Sequence, residues 1–279
     1  MHSNSNKRLV EILTLENGME HSRELFQYHD GKLCMHYASQ WNNMGQWERK
    51  SRTIFHCWSG NFIATEYTGS DLSWLPENEL WVKFENEKPF ELIQYGYHSD
   101  MLQMQALQKW IYTYDEGNLI SCELKAYEEP EWRSILKTEN RYAGKRLTEI
   151  KAYSYRNDCW TLTGLSEFEY DLDLAKEIRK FSLHEDKWIL KEKYEFQYSG
   201  SLLSVCLSHK ADESGDLRID CTTHYKYDES QNLIYQSSST IGNIVEKFYL
   251  YEDSCGNYSC TLGEICTAIN FPIQLPKPI

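Results

Sequence analysis

One phrase recurs along this chain at an almost constant spacing, and it constrains the fold more than any other feature. "FQYHDGKL" (Phe26 to Leu33), "YTYDEGNL" (Tyr112 to Leu119), "FEYDLDL" (Phe168 to Leu174) and "YKYDESQNL" (Tyr225 to Leu233) are versions of it. Taking its second aromatic as position zero, the zeros fall at Tyr28, Cys57, Phe84, Tyr114, Tyr142, Tyr170, Tyr198, Tyr227 and Tyr251. Successive zeros lie 29, 27, 30, 28, 28, 28, 29 and 24 residues apart. Two positions earlier the residue is apolar or aromatic in every frame except Asn140. Ten positions earlier stand Trp47, Trp74, Trp132, Trp160 and Trp188. Scattering the nine Trp of the chain at random would put about 0.3 of one at any such offset, so the period is real.

Each unit reads as a β-hairpin. An aromatic–polar–aromatic run has period two, the signature of a strand with one buried face. Turn residues follow, as in "HDG", "WSG" and "DEG", with Gly144 and Gly200 at the equivalent place. Tight hairpin turns need φ > 0, which Gly supplies. A second β-rich run then leads back towards the next Trp. The frame predicts little helix and chain reversals near residues 30, 59, 116, 144, 172, 200 and 229. The predicted fold is all-β: a long antiparallel meander of about nine ~28-residue hairpins in one domain over 1–279. Such a sheet is expected to curl or close, because long strands twist and many-stranded sheets fold over. Ten is an even number, so an uninterrupted strand puts the Trp on the aromatic face, where it packs as core. The other reading of the Trp ladder is an exposed stripe that stacks on sugars or a partner chain. A strand running from Trp to zero spans roughly 33 Å, longer than usual, and a bulge within it is expected.

The Tyr-Asp phrase resembles that of YD or Rhs-type repeat proteins, and of related Trp-bearing hairpin repeats in bacterial surface proteins. The likeness is one of pattern and covers about nine-tenths of the chain. Rhs-type sheets form shells around toxins, so the resemblance implies a container or presentation role. The period here is near 28 residues rather than nearer 20, and the chain is much shorter than such shells.

Composition narrows the partners. Twenty Tyr, nine Trp and ten Phe supply large apolar areas in a chain that is otherwise polar. The net charge of −13 argues against nucleic acid and against an anionic membrane surface. No run approaches the roughly 20 apolar residues of a membrane span. The first residues lack the apolar stretch of a signal peptide, so the cytoplasm is the expected location. A leader removed before this numbering begins would instead place the protein at the surface. Nine scattered Cys favour reduced thiols, and Cys122 and Cys206, six strands apart, are expected to be free.

No residue pattern marks catalytic, cofactor or metal chemistry. Cys255, Cys260 and Cys266 lack the tight pairs of a structural zinc site. His29, His36 and His56 come from neighbouring hairpins and read as surface residues. The Asp of the phrase (Asp115, Asp171, Asp228) reads as a turn anchor that accepts backbone N–H groups.

Two segments depart from the repeat. Residues 95–109 are compatible with a short helix or with a strand, since helix formers there follow Tyr95 and Tyr97. Residues 252–279 read as a C-terminal cap or tail, with three Pro in the last eight residues. Both segments carry apolar groups and few charges. Met101, Met104, Leu107, Phe271, Ile273 and Leu275 are therefore the candidate contacts for a protein partner or a second copy of the chain. The expected function is a non-enzymatic binding or scaffolding protein. The alternatives are a surface-associated carbohydrate-binding or adhesin-like module, and a hydrolase with its site in the concave face of the sheet.

Overall fold

The fold is described from a computed structural model over residues 7–253, apart from 31, 43, 59–60, 71–72 and 99–100. It is a single sheet of eighteen antiparallel strands in a meander. The first half comprises β1 (Lys7–Glu16), β2 (Met19–His29), β3 (Lys32–Trp41), β4 (Trp47–Trp58), β5 (Asn61–Ser70), β6 (Ser73–Glu85), β7 (Lys88–His98), β8 (Gln103–Asp115) and β9 (Asn118–Glu128). The second comprises β10 (Glu131–Ala143), β11 (Arg146–Arg156), β12 (Cys159–Asp171), β13 (Leu174–His184), β14 (Lys187–Ser199), β15 (Leu202–Ala211), β16 (Leu217–Tyr227), β17 (Leu233–Thr240) and β18 (Asn243–Asp253). β1 pairs with β18 from Lys7↔Asp253 to Glu16↔Val245, so the meander closes into a barrel. Every predicted reversal falls between two strands of a hairpin.

The turns are those the sequence chemistry selects. Asn17 and Gly18, Glu116 and Gly117, and Asn157 and Asp158 all have positive φ, the two-residue geometry whose twist matches the flanking strands. Asp228 is a turn anchor as expected: its carboxylate accepts the N–H groups of Ser230 and Asn232, each at 2.9 Å. Residues 95–98 and 103–109 are strand rather than helix. β7 and β8 meet around a turn that includes Met101 and Leu102, and Leu102 has φ 51°. Pairing of Tyr97 with Met104 and of Tyr95 with Ala106 overrides the helix propensity of the segment.

Bulges repeat as faithfully as the aromatics. Seven positions before zero, one residue is inserted opposite the partner strand: Leu107 in β8, Ile135 in β10, Thr163 in β12, Lys191 in β14. The bulge expected in the long strand is therefore present, and it corrects the expectation for the Trp. An extra residue reverses the alternation, so Trp132 and Trp160 stand on the face opposite Tyr142 and Tyr170.

The register shows which face is the inner one. The residues flanking a two-residue turn exchange both hydrogen bonds, so Tyr28, one before the His29↔Lys32 pair, directs its own N–H and C=O towards β1. For L-residues, its side chain then faces a viewer who sees β2 rise with β3 on the left. Stepping sideways through partners, Gln27 leads to Met35, Ile54, Thr65, Glu79, Tyr95 and Ala106, a steady drift towards the Trp-bearing turns. In a barrel of right-handed twist that drift puts β3 on the right for a viewer outside. The tyrosine face therefore lines the interior, and the Trp stand outside near one rim.

Candidate functional site

The barrel wall is one sheet thick. Among the described residues only eleven are buried, and Phe62 is the most enclosed at 2% exposure. A circular section of eighteen strands would be roughly 35 Å across, wide enough to leave an internal channel. The interior is graded along the barrel axis. At one rim, here the Tyr rim, lie the zero-position tyrosines and the leucines opposite them, such as Tyr142 against Leu147. Midway, Phe62, Val82, Leu92 and Trp110 pack side by side. Towards the other rim, the Trp rim, the lining becomes hydroxyl, amide and charged: Asn78 bonds Glu66 at 3.3 Å, and Thr223 bonds Ser238 at 3.0 Å.

Desolvation marks the apolar stretch. Burial pushes the Cys122 thiol up to about 12, and does the same to the hydroxyls of Tyr225 and Tyr249. Two polar pairs interrupt it. His36, stacked on Phe26, bonds Glu24 at 3.0 Å and holds the Glu24 carboxyl below the usual range. Glu192 is lowered too: burial opposes ionisation there, but hydrogen bonds from Tyr194 (2.8 Å) and Lys180 (3.1 Å) outweigh it.

The outer wall is a lattice of ion pairs and cation–aromatic contacts. Arg23 grips Glu11 through two bonds of 2.8 and 2.9 Å, and Lys193 lies 2.9 Å from Glu177 and 2.7 Å from Glu195. The Trp are neither core nor a bare stripe. They are largely half-buried, and cations cover their rings: Arg52 over Trp74, Lys109 over Trp132, Lys137 over Trp160. Tyr127 and Tyr155 meet Trp132 and Trp160 from the neighbouring strand at 5.1 and 5.0 Å. No helix among the described residues is long and apolar enough to cross a membrane. Charges such as Lys83, Glu139 and Lys109 interrupt the outer wall at successive levels, unlike the apolar band of a lipid-spanning barrel.

Of the six residues singled out as partner contacts, the three that are described all belong to the β7–β8 hairpin. Met101 is 48% exposed in the β7–β8 turn, and Met104 is half-buried opposite Tyr97. Leu107 is the bulged residue of β8 and lies against Gly96. Phe271, Ile273 and Leu275 lie outside the described residues, as do Cys255, Cys260 and Cys266 and the remainder of the tail from 254 on. The three histidines do not converge: His36 is inside, while His29 is exposed beside Asp30 at the Tyr rim. Among the described residues, no group of His, Cys, Asp or Glu is placed to hold a metal ion, and Cys34, Cys122, Cys159, Cys206 and Cys221 are free thiols.

Sequence reasoning missed a feature of the Trp rim. Met19 (71% exposed), Met44 (83%), Leu75 (64%), Leu102 (77%) and Ile241 (99%) sit at or beside its turns. These turns belong to the β17–β18, β1–β2, β3–β4, β5–β6 and β7–β8 hairpins, five neighbours in the closed ring. The remaining four turns of that rim carry Glu129, Asp158, Glu185 with Asp186, and Asp212 to Asp216 instead.

No protein-family profile matches the sequence, and no curated protein does. Solved structures show remote likeness. A protein with unknown function from Bacteroides fragilis NCTC 9343 is 12% identical with a TM-score of 0.39, over 49% of this chain and 95% of that one. A porin-like protein from Bacteroides vulgatus ATCC 8482 is 9% identical with a TM-score of 0.42, over 89% and 100%. The Photorhabdus luminescens Tc holotoxin pore is 12% identical with a TM-score of 0.28, over 83% of this chain and 15% of that one. Likeness at this level assigns neither family nor activity.

Proposed function

We propose that this protein is a non-enzymatic binding scaffold whose barrel interior receives an apolar segment of a protein partner. One observation carries the reading. The aromatic face of nine hairpins is turned inward around a wall one sheet thick, so its apolar area is gathered in a concave lining instead of being consumed in a packed core. Concave, mainly apolar surfaces with a few placed polar groups are the usual form of a binding site, and the Glu24–His36 and Lys180–Glu192 pairs supply such groups. The resemblance of the repeat phrase to YD and Rhs-type proteins agrees with a container or presentation role.

The test is site-specific photocrosslinking in the native host. A photoreactive residue at inward position 196 is expected to capture the partner, and one at outward position 195 is not. Capture from 195 alone would move the contact to the outer wall. Replacing Met101 and Met104 by Ser, or removing 267–279, separates the lumen from the segments named by sequence. If those variants lose the partner while position 196 captures nothing, the lumen reading is wrong.

A further inference from the structure

The apolar arc of the Trp rim is distinct from the lumen. Met44, Leu102 and Ile241 stand in turns, while Met19 opens β2 and Leu75 lies two residues into β6. All are largely in water: Ile241 at 99%, Met44 at 83%, Leu102 at 77%, Met19 at 71% and Leu75 at 64% exposure. Single exposed apolar residues are ordinary, but five successive hairpin ends of one rim bearing one each are not. Neighbouring turns of one rim are two strands apart, roughly 10 Å. The apexes are therefore separate projections with polar backbone between them. A folded protein partner needs a contiguous, closely packed patch. A fluid lipid interface accepts separate side chains, each sinking into the boundary between headgroups and acyl chains.

Two further features fit that occupant. Trp41, 40% exposed, and Trp47 meet at 5.1 Å at the base of the β3–β4 turn, and the half-buried Trp74 stands behind the β5–β6 turn. Indoles at that height match the headgroup level, where Trp is enriched. Charge selects the lipid. The four turns of the opposite arc are acidic and the chain carries −13, so an anionic surface repels it and a neutral one does not.

We propose that the Trp-rim arc formed by Met19, Met44, Leu75, Leu102 and Ile241 docks the barrel, tilted, onto a zwitterionic bilayer surface without spanning it. The experiment is co-sedimentation of the full chain with phosphatidylcholine vesicles, comparing wild type with the M44D/I241D double variant. Both positions are exposed turn sites, so circular dichroism should show the sheet intact in the variant. Wild type is expected to sediment with the vesicles, and the variant to partition about tenfold less, given two apolar insertions lost and two charges added. Adding phosphatidylglycerol should weaken wild-type binding. The proposal is overturned if wild type stays in the supernatant, if the variant sediments equally, or if anionic lipid strengthens binding. It is also overturned if light scattering shows M44D/I241D converting a dimer to a monomer, since the arc would then be an interface between copies.

Discussion

The Tyr170 hydroxyl donates to the carbonyl of Leu147 at 2.9 Å, across the boundary between two hairpins. β11 pairs with β12 only from Glu149 onward, so the ladder leaves that carbonyl without a partner. The bond recurs between equivalent residues, from Tyr142 to Leu119 at 3.0 Å and from Tyr198 to Ala175 at 2.8 Å. Tyr28 and Tyr251 do the same at the closing seam, reaching Leu9 and Leu233. This explains why position zero is so often Tyr and not Phe: the ring lines the interior and its hydroxyl satisfies an orphan acceptor. Asn140, the one break in the apolar column, serves the same carbonyl of Leu119 at 2.8 Å.

Removing the hydroxyl should therefore cost stability without disturbing the fold. Tyr170→Phe is expected to lower unfolding free energy by about 1 kcal/mol, the usual net worth of such a bond. Tyr142→Phe should cost less, because Asn140 still serves Leu119. Urea unfolding of the two variants checks this, and equal losses would contradict the orphan-carbonyl account.

Gly96 on β7 faces Leu107, and a Cβ built at Gly96 would lie 2.7 Å from Leu107 Cδ1. Leu107 is the end of a flexible side chain, so it must swing aside. Gly96→Ala is expected to destabilise by about 1 kcal/mol, at the low end of overpacking costs, and Leu107→Ala should restore most of that loss. Thermal melts of the two single variants and the double variant measure the coupling.

Thiol reactivity should follow burial. Cys159 is exposed, whereas the Cys122 thiol is buried with its pKa at about 12. At pH 8, iodoacetamide should modify Cys159 readily in the folded protein and Cys122 only after unfolding. Mass spectrometry of the unfolded chain without reductant should find both Cys122 and Cys206 alkylated. The raised thiol also carries a pH dependence. Its contribution to stability is complete below the unfolded thiol value near 9 and is lost as pH rises towards 12. Cys122→Ser should flatten that alkaline limb.

The Glu24–His36 pair acts at the other end of the pH scale. The folded Glu24 carboxyl is lowered, first by the hydrogen bond to His36 and then by its charge, against burial. Its contribution is present above the unfolded carboxylate value near 4.3 and is lost as pH falls through the lower folded value. Glu24→Gln should make denaturation between about pH 4 and pH 2 less steep, read by circular dichroism.

The repeat was legible because it is local. A two-residue turn, alternation about position zero and a Trp ten residues earlier each involve one hairpin, and together they determine nine hairpins and the places where the chain reverses. The bulge was foreseeable from strand length alone, but its consequence for Trp132 was not, since one inserted residue reverses every side chain beyond it. Closure and facing are sums over the whole sheet. A drift of two or three residues per hairpin, accumulated from Gln27 to Ala106 and onward, brings β18 to β1 and turns Tyr142 inward and Lys137 outward. That same closure sets Ile241 beside Met19, residues 222 positions apart in the chain, and so joins five turns into one arc. No window of sequence contains that neighbourhood; it exists only because the last hairpin meets the first.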